Sequence, residues 1–90
     1  MKVKYRESFL KDLHKIKSKE MLARIEASIL QIEAASSIEE LHNLKKLRGG
    51  SSYYRARIGD YRVGIVMEDG SATLVRVLHR KDIYRYFPRP

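Results

Sequence analysis

Tyr53-Tyr-Arg-Ala-Arg-Ile-Gly-Asp-Tyr-Arg62 reads as a strand, a two-residue turn at Gly59-Asp60 and the start of a second strand. Gly-Asp between two alternating runs signals a tight hairpin, because glycine adopts positive φ without a steric penalty. Counting outward from Ile58 opposite Tyr61 pairs Arg57 with Arg62, Arg55 with Gly64 and Tyr53 with Val66. Side chains alternate between faces along a strand. Arg55, Arg57 and Arg62 therefore share one face, with a gap in its floor at Gly64, and Tyr54, Ala56, Ile58, Tyr61, Val63, Ile65 and Met67 make the other, a core face. Like charges directly opposite one another destabilise a hairpin. Three arginines held together on a sheet point to an anion between them. Taken alone, the plainer reading is a solvated strand face, which is what arginines alternating with apolar residues mean in most antiparallel sheets.

The charge of the whole chain shifts the balance toward the anion. The 90 residues carry a formal net charge of +8. Residues 1–44 hold eight Lys/Arg against seven Asp/Glu, whereas residues 45–90 hold eleven against four. A one-sided basic surface is the electrostatic footprint of a polyanion, most often nucleic acid, and an acidic protein fits it too. The length predicts a single domain, 1–90, able to build a modest core without disulfides or metal. The absence of cysteine excludes a disulfide scaffold and Cys-based zinc or thiol chemistry, and it fits a reducing cytoplasm. No apolar run approaches membrane-spanning length, and Met1-Lys-Val-Lys lacks the hydrophobic segment of a signal peptide, so a cytoplasmic protein without a membrane partner is expected.

Working outward, residues 1–6 alternate apolar and basic side chains and predict a short strand. Ser8 is the expected N-cap of a first helix of about nine or ten residues, with Phe9, Leu10, Leu13 and Ile16 at helical spacing. Ser18 restarts a second helix whose Leu22, Ile25, Ile29 and Ile32 form an apolar stripe. Ser37 with Glu40 has the form of a capping box opening a short helical turn. Residues 49–52, Gly-Gly-Ser-Ser, are the one flexible stretch. After the hairpin, 68–71 make a second turn into a third strand over 72–78. A two-residue Asp69-Gly70 turn places Val75, Val77 and His79 on the arginine face, and a three-residue turn reverses them; the sequence leaves both open. A short turn or helical tail stopped by Pro88 closes the chain. The expected fold is α+β: an N-terminal strand and an antiparallel helical hairpin packed on one face of an antiparallel sheet of about four strands, the opposite face partly open.

The chemistry is narrowed by what is missing. Asp60 and Asp69 occupy turns, and no carboxylate pair is spaced for acid–base work. His14, His42 and His79 lie far apart, no acidic cluster supports a metal site, Gly49-Gly50 lacks a phosphate-loop pattern, and Ser51 and Ser52 have no evident base. No metal or cofactor is called for. Arginine, histidine and tyrosine remain, and such a set can cleave RNA, which carries its own 2′-hydroxyl nucleophile. Arginine holds phosphate oxygens through paired donors, histidine moves protons near neutrality, and tyrosine stacks on a base or donates a proton.

Leu47-Arg-Gly49, Tyr54-Arg-Ala-Arg-Ile-Gly-Asp-Tyr-Arg62 and Leu78-His-Arg-Lys-Asp-Ile-Tyr84 together resemble the RelE/ParE superfamily of type II toxins, over essentially the whole chain. The resemblance implies a RelE-type, ribosome-dependent endoribonuclease that cuts mRNA in the A site without a metal and is silenced by a cognate antitoxin. Its partners are then the antitoxin, the ribosome and mRNA. Carried over residue by residue, the two basic positions of the first hairpin strand fall on Arg55 and Arg57. The next arginine falls on Arg62, the arginine after the last strand on Arg80, and the C-terminal tyrosine on Tyr84 or Tyr86, with Tyr84 read as packing or base-stacking and Tyr86 as its competitor for the catalytic role. Lysines stand at the hairpin positions in the best-known RelE pattern, one of them proposed as general base. Arginine is essentially never deprotonated, so Arg57 stabilises charge, and His79 becomes the candidate for proton transfer or else merely caps its strand. Lys45, Lys46 and Arg48 are expected ribosomal RNA contacts rather than catalysts, and Arg55 is an expected RNA-binding residue. The rival expectations are a ParE-type poison of DNA gyrase and a non-catalytic basic module that only binds an antitoxin.

Overall fold

The computed structural model describes residues 1–50 and 52–88; Ser51, inside the glycine-serine stretch read as flexible, lies outside them with residues 89–90. The elements in order are β1 (Lys2–Tyr5), α1 (Glu7–His14), α2 (Lys19–Ala34), a 3₁₀ turn at Ile38–Glu40, β2 (Leu44–Lys46), β3 (Tyr53–Ile58), β4 (Tyr61–Glu68), β5 (Ser71–His79) and α3 (Ile83–Tyr86).

The hairpin forms in the register that its turn dictates. Ile58 pairs with Tyr61, Arg57 with Arg62, Arg55 with Gly64 and Tyr53 with Val66. Gly59 supplies the positive φ, 58°, that the turn requires. Around this pair the sheet is larger than the expected four strands and is mixed rather than antiparallel, with order β1-β5-β4-β3-β2. β1 runs parallel to β5, Val3 beside Ala72 and Tyr5 beside Leu74. β2 is the added strand: Leu44, Lys45 and Lys46 pair antiparallel with Ala56, Arg55 and Tyr54. Three residues are too few to show a period of two, so the edge strand was hidden in what read as a basic loop.

One side of the sheet carries the helices and the core. Phe9, Ile25 and Ile32 are buried with Ala56, Val63, Ile65, Leu74 and Val77. Leu13 and Ile29, expected as core, sit partly buried at its rim. Ser18 caps α2 as expected, its Oγ accepting from Met21 N at 3.1 Å. The Glu40 carboxylate accepts from Ser36 N and Ser37 N at 2.8 and 3.0 Å, closing the turn read as a capping box. Ser8 does not cap α1. The helix starts two residues earlier, with Arg6 as N-cap, and runs for eight residues. The Ser8 hydroxyl donates instead to Val75 O at 2.6 Å, across 67 residues of sequence.

That bond marks the second departure. The Asp69-Gly70 turn has two residues, Glu68 pairing with Ser71, and the register holds as far as Ile65 with Leu74. Gly64 then pairs with Arg76, leaving Val75 as the extra residue of a β-bulge. A bulge reverses every side chain beyond it. Val77 therefore enters the core opposite Val63 and His79 pairs with Tyr61, so neither is on the arginine face where the two-residue turn alone would put them. Arg76 is there instead.

The far side of the sheet is partly covered. Following α3, Phe87 is 2% exposed and meets the Tyr53 ring edge-on, centroids 5.9 Å apart. A Cβ built on Gly64 would come within 2.6–2.8 Å of the Phe87 ring. The gap that Gly64 leaves in the floor is thus the seat of Phe87, and full burial of such a ring contributes about 2–3 kcal/mol. Among the described residues no helix is long and apolar enough to cross a membrane.

Candidate functional site

Three arginines meet on the face that the register defines. Arg55 and Arg57 project from β3, Arg62 from β4, and Arg57 stands directly across from Arg62. Arg62 Nη1 donates to the carbonyls of Gly59 at 2.8 Å and Tyr61 at 2.9 Å, fixing the guanidinium to the hairpin turn. Burial holds its pKa below the ordinary arginine value, and the positive charges of Arg55 and Arg57 push it the same way. Arg80 adds a smaller push and Tyr84 an opposing pull, so both side chains lie within electrostatic reach of Arg62. An anion among these groups relieves the repulsion that the fold builds in.

Arg55 carries the clearest unused donor. Its Nη1 reaches Asn43 O only at 3.4 Å, and its Nε is buried with no partner among the described residues. Such a donor costs free energy until an acceptor arrives. Arg57 is exposed, and its backbone N–H donates to Asn43 O at 3.0 Å. Lys45 pairs with Arg55 and so shares its face. Lys46 pairs with Tyr54 and points to the opposite side, while exposed Arg48 lies in the bend between β2 and β3.

The C-terminal residues divide. Arg80 N donates to Asp60 O at 2.7 Å, which ties the segment after β5 to the hairpin turn beside Arg62. Tyr84 is 56% exposed and lies close enough to Arg62 to act on its pKa. Tyr86 has a different neighbour: Arg76 Cζ lies 5.1 Å from its ring centroid. His79 packs edge-on against Tyr61 at 5.9 Å, on the opposite strand face from Arg57 and Arg62. Its Nδ1 accepts from Lys81 N at 3.1 Å, which leaves Nε2 as the protonated nitrogen of the neutral ring.

Two residues that frame this site were not singled out by the sequence. Asp12, 5% exposed, accepts from Arg76 Nε at 2.7 Å, from Arg76 Nη2 at 2.9 Å and from Val77 N at 3.1 Å. The hydrogen bond to Asp12 holds the Arg76 pKa above its ordinary value. Ser8 and Asp12 together satisfy the edge of β5 beyond the end of β1, where no strand among the described residues covers it. The available signal was a carboxylate inside the Phe9, Leu13, Ile16 stripe, since a buried charge needs a partner. No group of three or more His, Asp or Glu comes together among the described residues.

The arrangement can bind a phosphate between several guanidinium groups and stabilise negative charge developing on it. A second feature lies on the helical side. An open apolar groove of about 610 Å³ runs between α1 and α2, with Tyr5, Leu10, Leu13, Ile29 and Leu30 on its walls and Glu26 and Glu33 among its lining residues.

Comparison with known proteins matches residues 3–84 to the family described as the ParE toxin of the type II toxin-antitoxin system, parDE. The chain is 39% identical over 89 residues to toxin RelE3 of Methanocaldococcus jannaschii, covering 98% of this chain and 100% of that protein. It resembles the toxin chain in the crystal structure of the RelB-RelE antitoxin-toxin complex from Methanococcus jannaschii, with a TM-score of 0.79 and 35% identity over 94% of this chain and 99% of that one. The archaeal RelE-RelB complex from Pyrococcus horikoshii OT3 superposes with a TM-score of 0.72 at 26% identity, over 91% and 97% of the two chains.

Proposed function

This chain belongs to the RelE/ParE family and is a RelE-like toxin of a type II toxin–antitoxin system, and from that premise we propose that it is a metal-independent endoribonuclease cutting mRNA in the ribosomal A site. The observation that carries the reading is the uncompensated cluster of Arg55, Arg57 and Arg62 on one strand face, with Arg80 tied to the same hairpin turn through Asp60 O. The strand is cut by its own ribose. The 2′-oxygen bonds to the adjacent phosphorus as its proton leaves, and the P–O5′ bond breaks as O5′ gains a proton. The products are a cyclic phosphate and a 5′-hydroxyl. Arg57, Arg62 and Arg80 hold the phosphate oxygens through the charged transition state, and Arg55 binds the RNA beside them. His79 is turned toward Tyr61, so the phenol of Tyr84 is the proton-carrying group assigned to this face, whereas Tyr86 packs on Arg76. Lys45 and Arg48 extend the basic surface toward ribosomal RNA, with Lys46 reaching it from the other side of β2.

The proposed partner is a small antitoxin, as in the RelB-RelE complexes, and the proposed compartment is the cytoplasm, where ribosomes are found. An acidic segment suits the arginine face, and an amphipathic helix suits the α1–α2 groove, whose Leu10 and Leu30 are left exposed.

Primer extension on mRNA incubated with the purified protein, with and without programmed ribosomes, tests this. Cuts at the A-site codon only with ribosomes are expected; cuts on free RNA would remove the ribosome from the mechanism. Because the matching family is described by its ParE members, a second reading stands beside the first: poisoning of DNA gyrase without RNA cleavage. Growth arrest without any RNA cut, together with inhibited supercoiling, would select it.

A further inference from the structure

A polar groove of about 260 Å³ lies at the β3 edge, lined by Arg24, Ser28 and Gln31 of α2, by Asn43, and by Arg57 and Ile58. Its floor is organised: Asn43 Nδ2 donates to Arg57 O at 3.3 Å and lies 3.5 Å from Ser28 Oγ. Arg24 hangs over the hairpin turn, since a Cβ built on Gly59 would stand 2.7 Å from Arg24 Nη1 and 3.3 Å from its Cζ. Gly59 O is also an anchor of Arg62. Positive charge therefore continues from the arginine face, around the turn, to the exposed side of α2. Among the described residues the ion pairs are Lys11–Glu7 and Arg76–Asp12, so neither Arg24 nor Arg57 holds a carboxylate.

We propose that this groove is a second RNA subsite, in which a phosphodiester outside the cleaved linkage lies between Arg57 and Arg24. The proposal rests on the RNA reading of the arginine face and extends it. Arg24 on the α2 side and Arg57 at the β3 edge, whose carbonyl lies on the floor and whose exposed guanidinium stands on the opposite strand face, bracket a groove with amide and hydroxyl groups, a set that matches a sugar–phosphate backbone. An acidic peptide is less well served, because peptide docking draws on large apolar anchors and the walls here are polar apart from Ala27 and Ile58. Arg57 stands at the junction, so a strand bound at the reacting phosphate turns over the β3 edge and continues along α2. The phosphate could belong to the substrate strand or to ribosomal RNA, which share this chemistry.

The test measures binding without cleavage. A fluorescent RNA oligonucleotide 2′-O-methylated at every ribose has no free nucleophile. It is titrated free, and the same methylated codon is titrated in the A site of programmed ribosomes, over a series of salt concentrations, with wild type, Arg24→Gln and Arg24→Lys. Arg24→Gln is expected to weaken binding evenly across sequences and to lower the slope of log K against log salt by about one, while Arg24→Lys keeps the slope. A change in both settings makes the substrate strand the occupant; a change with ribosomes alone makes it ribosomal RNA, and either supports the subsite. Unchanged slopes in both settings overturn it, as does normal RNA binding with weakened antitoxin binding. Thermal midpoints of the exposed-site variants control for folding. A wild type that binds RNA but never cuts it would sink the ribonuclease reading alone.

Discussion

Asp12 and Arg76, 64 residues apart in sequence, form a two-point ion pair at 2.7 and 2.9 Å, and the same carboxylate takes the backbone N–H of Val77 at 3.1 Å. One buried side chain thereby fixes α1 to β5, holds the bulge in place and aims Arg76 at the face of Tyr86. Removing one partner of a buried pair leaves the other charge uncompensated, at a cost of about 3–5 kcal/mol. Arg76 keeps about a quarter of its side chain in contact with solvent, which places the cost at the lower end. Asp12→Ala is expected to lower the unfolding free energy by about 3 kcal/mol in urea titrations. A double-mutant cycle with Arg76→Ala should return a coupling of about 1–3 kcal/mol; additive effects would mean that the pair does not act as a unit.

Gly64 is where a side chain cannot fit. In Gly64→Ala the new Cβ would lie 2.6 Å from the Phe87 ring, so the tail must shift. A destabilisation of about 1–3 kcal/mol is expected. Limited proteolysis should cut the variant ahead of Phe87 while sparing the wild type.

The arginines should separate activity from stability. Arg57→Ala removes a like charge facing Arg62, so its unfolding free energy should hold or rise by up to about 1 kcal/mol. Cleavage should fall on the order of 10²–10³-fold, as when one preorganised charge stabiliser is lost. Arg80→Ala should behave the same way. Full toxicity in either variant, read as growth arrest on induction, contradicts the site assignment.

Tyr84 and Tyr86 should part company as their phenylalanine variants. Loss of a proton-transfer group costs about 10²–10⁴ in rate, so Tyr84→Phe is expected to cut slowly at saturating substrate. Tyr86→Phe keeps the ring face over Arg76 and should cut normally. Single-turnover rates on programmed ribosomes decide between them.

Leu30 is 58% exposed on the wall of the α1–α2 groove. Leu30→Glu should leave the fold unchanged and weaken antitoxin binding by about 2 kcal/mol or more if the groove holds a central anchor. Calorimetric titration with the antitoxin measures it, and an unaltered affinity would move the contact to the arginine face.

The hairpin and its arginine face were legible in the sequence because the evidence for them is local. A Gly59-Asp60 turn fixes the count, a period of two fixes the faces, and Ser18 and Glu40 mark ends of helical turns within a few residues of themselves. The antitoxin and ribosome, by contrast, follow from resemblance rather than from any spacing, as do the roles proposed for individual arginines and tyrosines.

Other features depended on residues far apart in the chain. The bulge at Val75 turns His79 away from the arginines and Val77 into the core, and the groups that brace it, Ser8 Oγ and the Asp12 carboxylate, arrive from α1 at 67 and 65 residues' distance. The gap at Gly64 was visible as a missing side chain, but that Phe87 fills it depends on where the tail comes to rest. The choice between Tyr84 and Tyr86 rests likewise on Arg76, whose own direction is set by Asp12. The sequence alone determined the helical stripes, the hairpin with its register and the concentration of positive charge, because dihedral preference and alternation act between neighbours. Tertiary structure decided which side chains join the arginine face and which turn away from it, because burying an edge, a charge or a ring requires a partner that only the folded chain supplies.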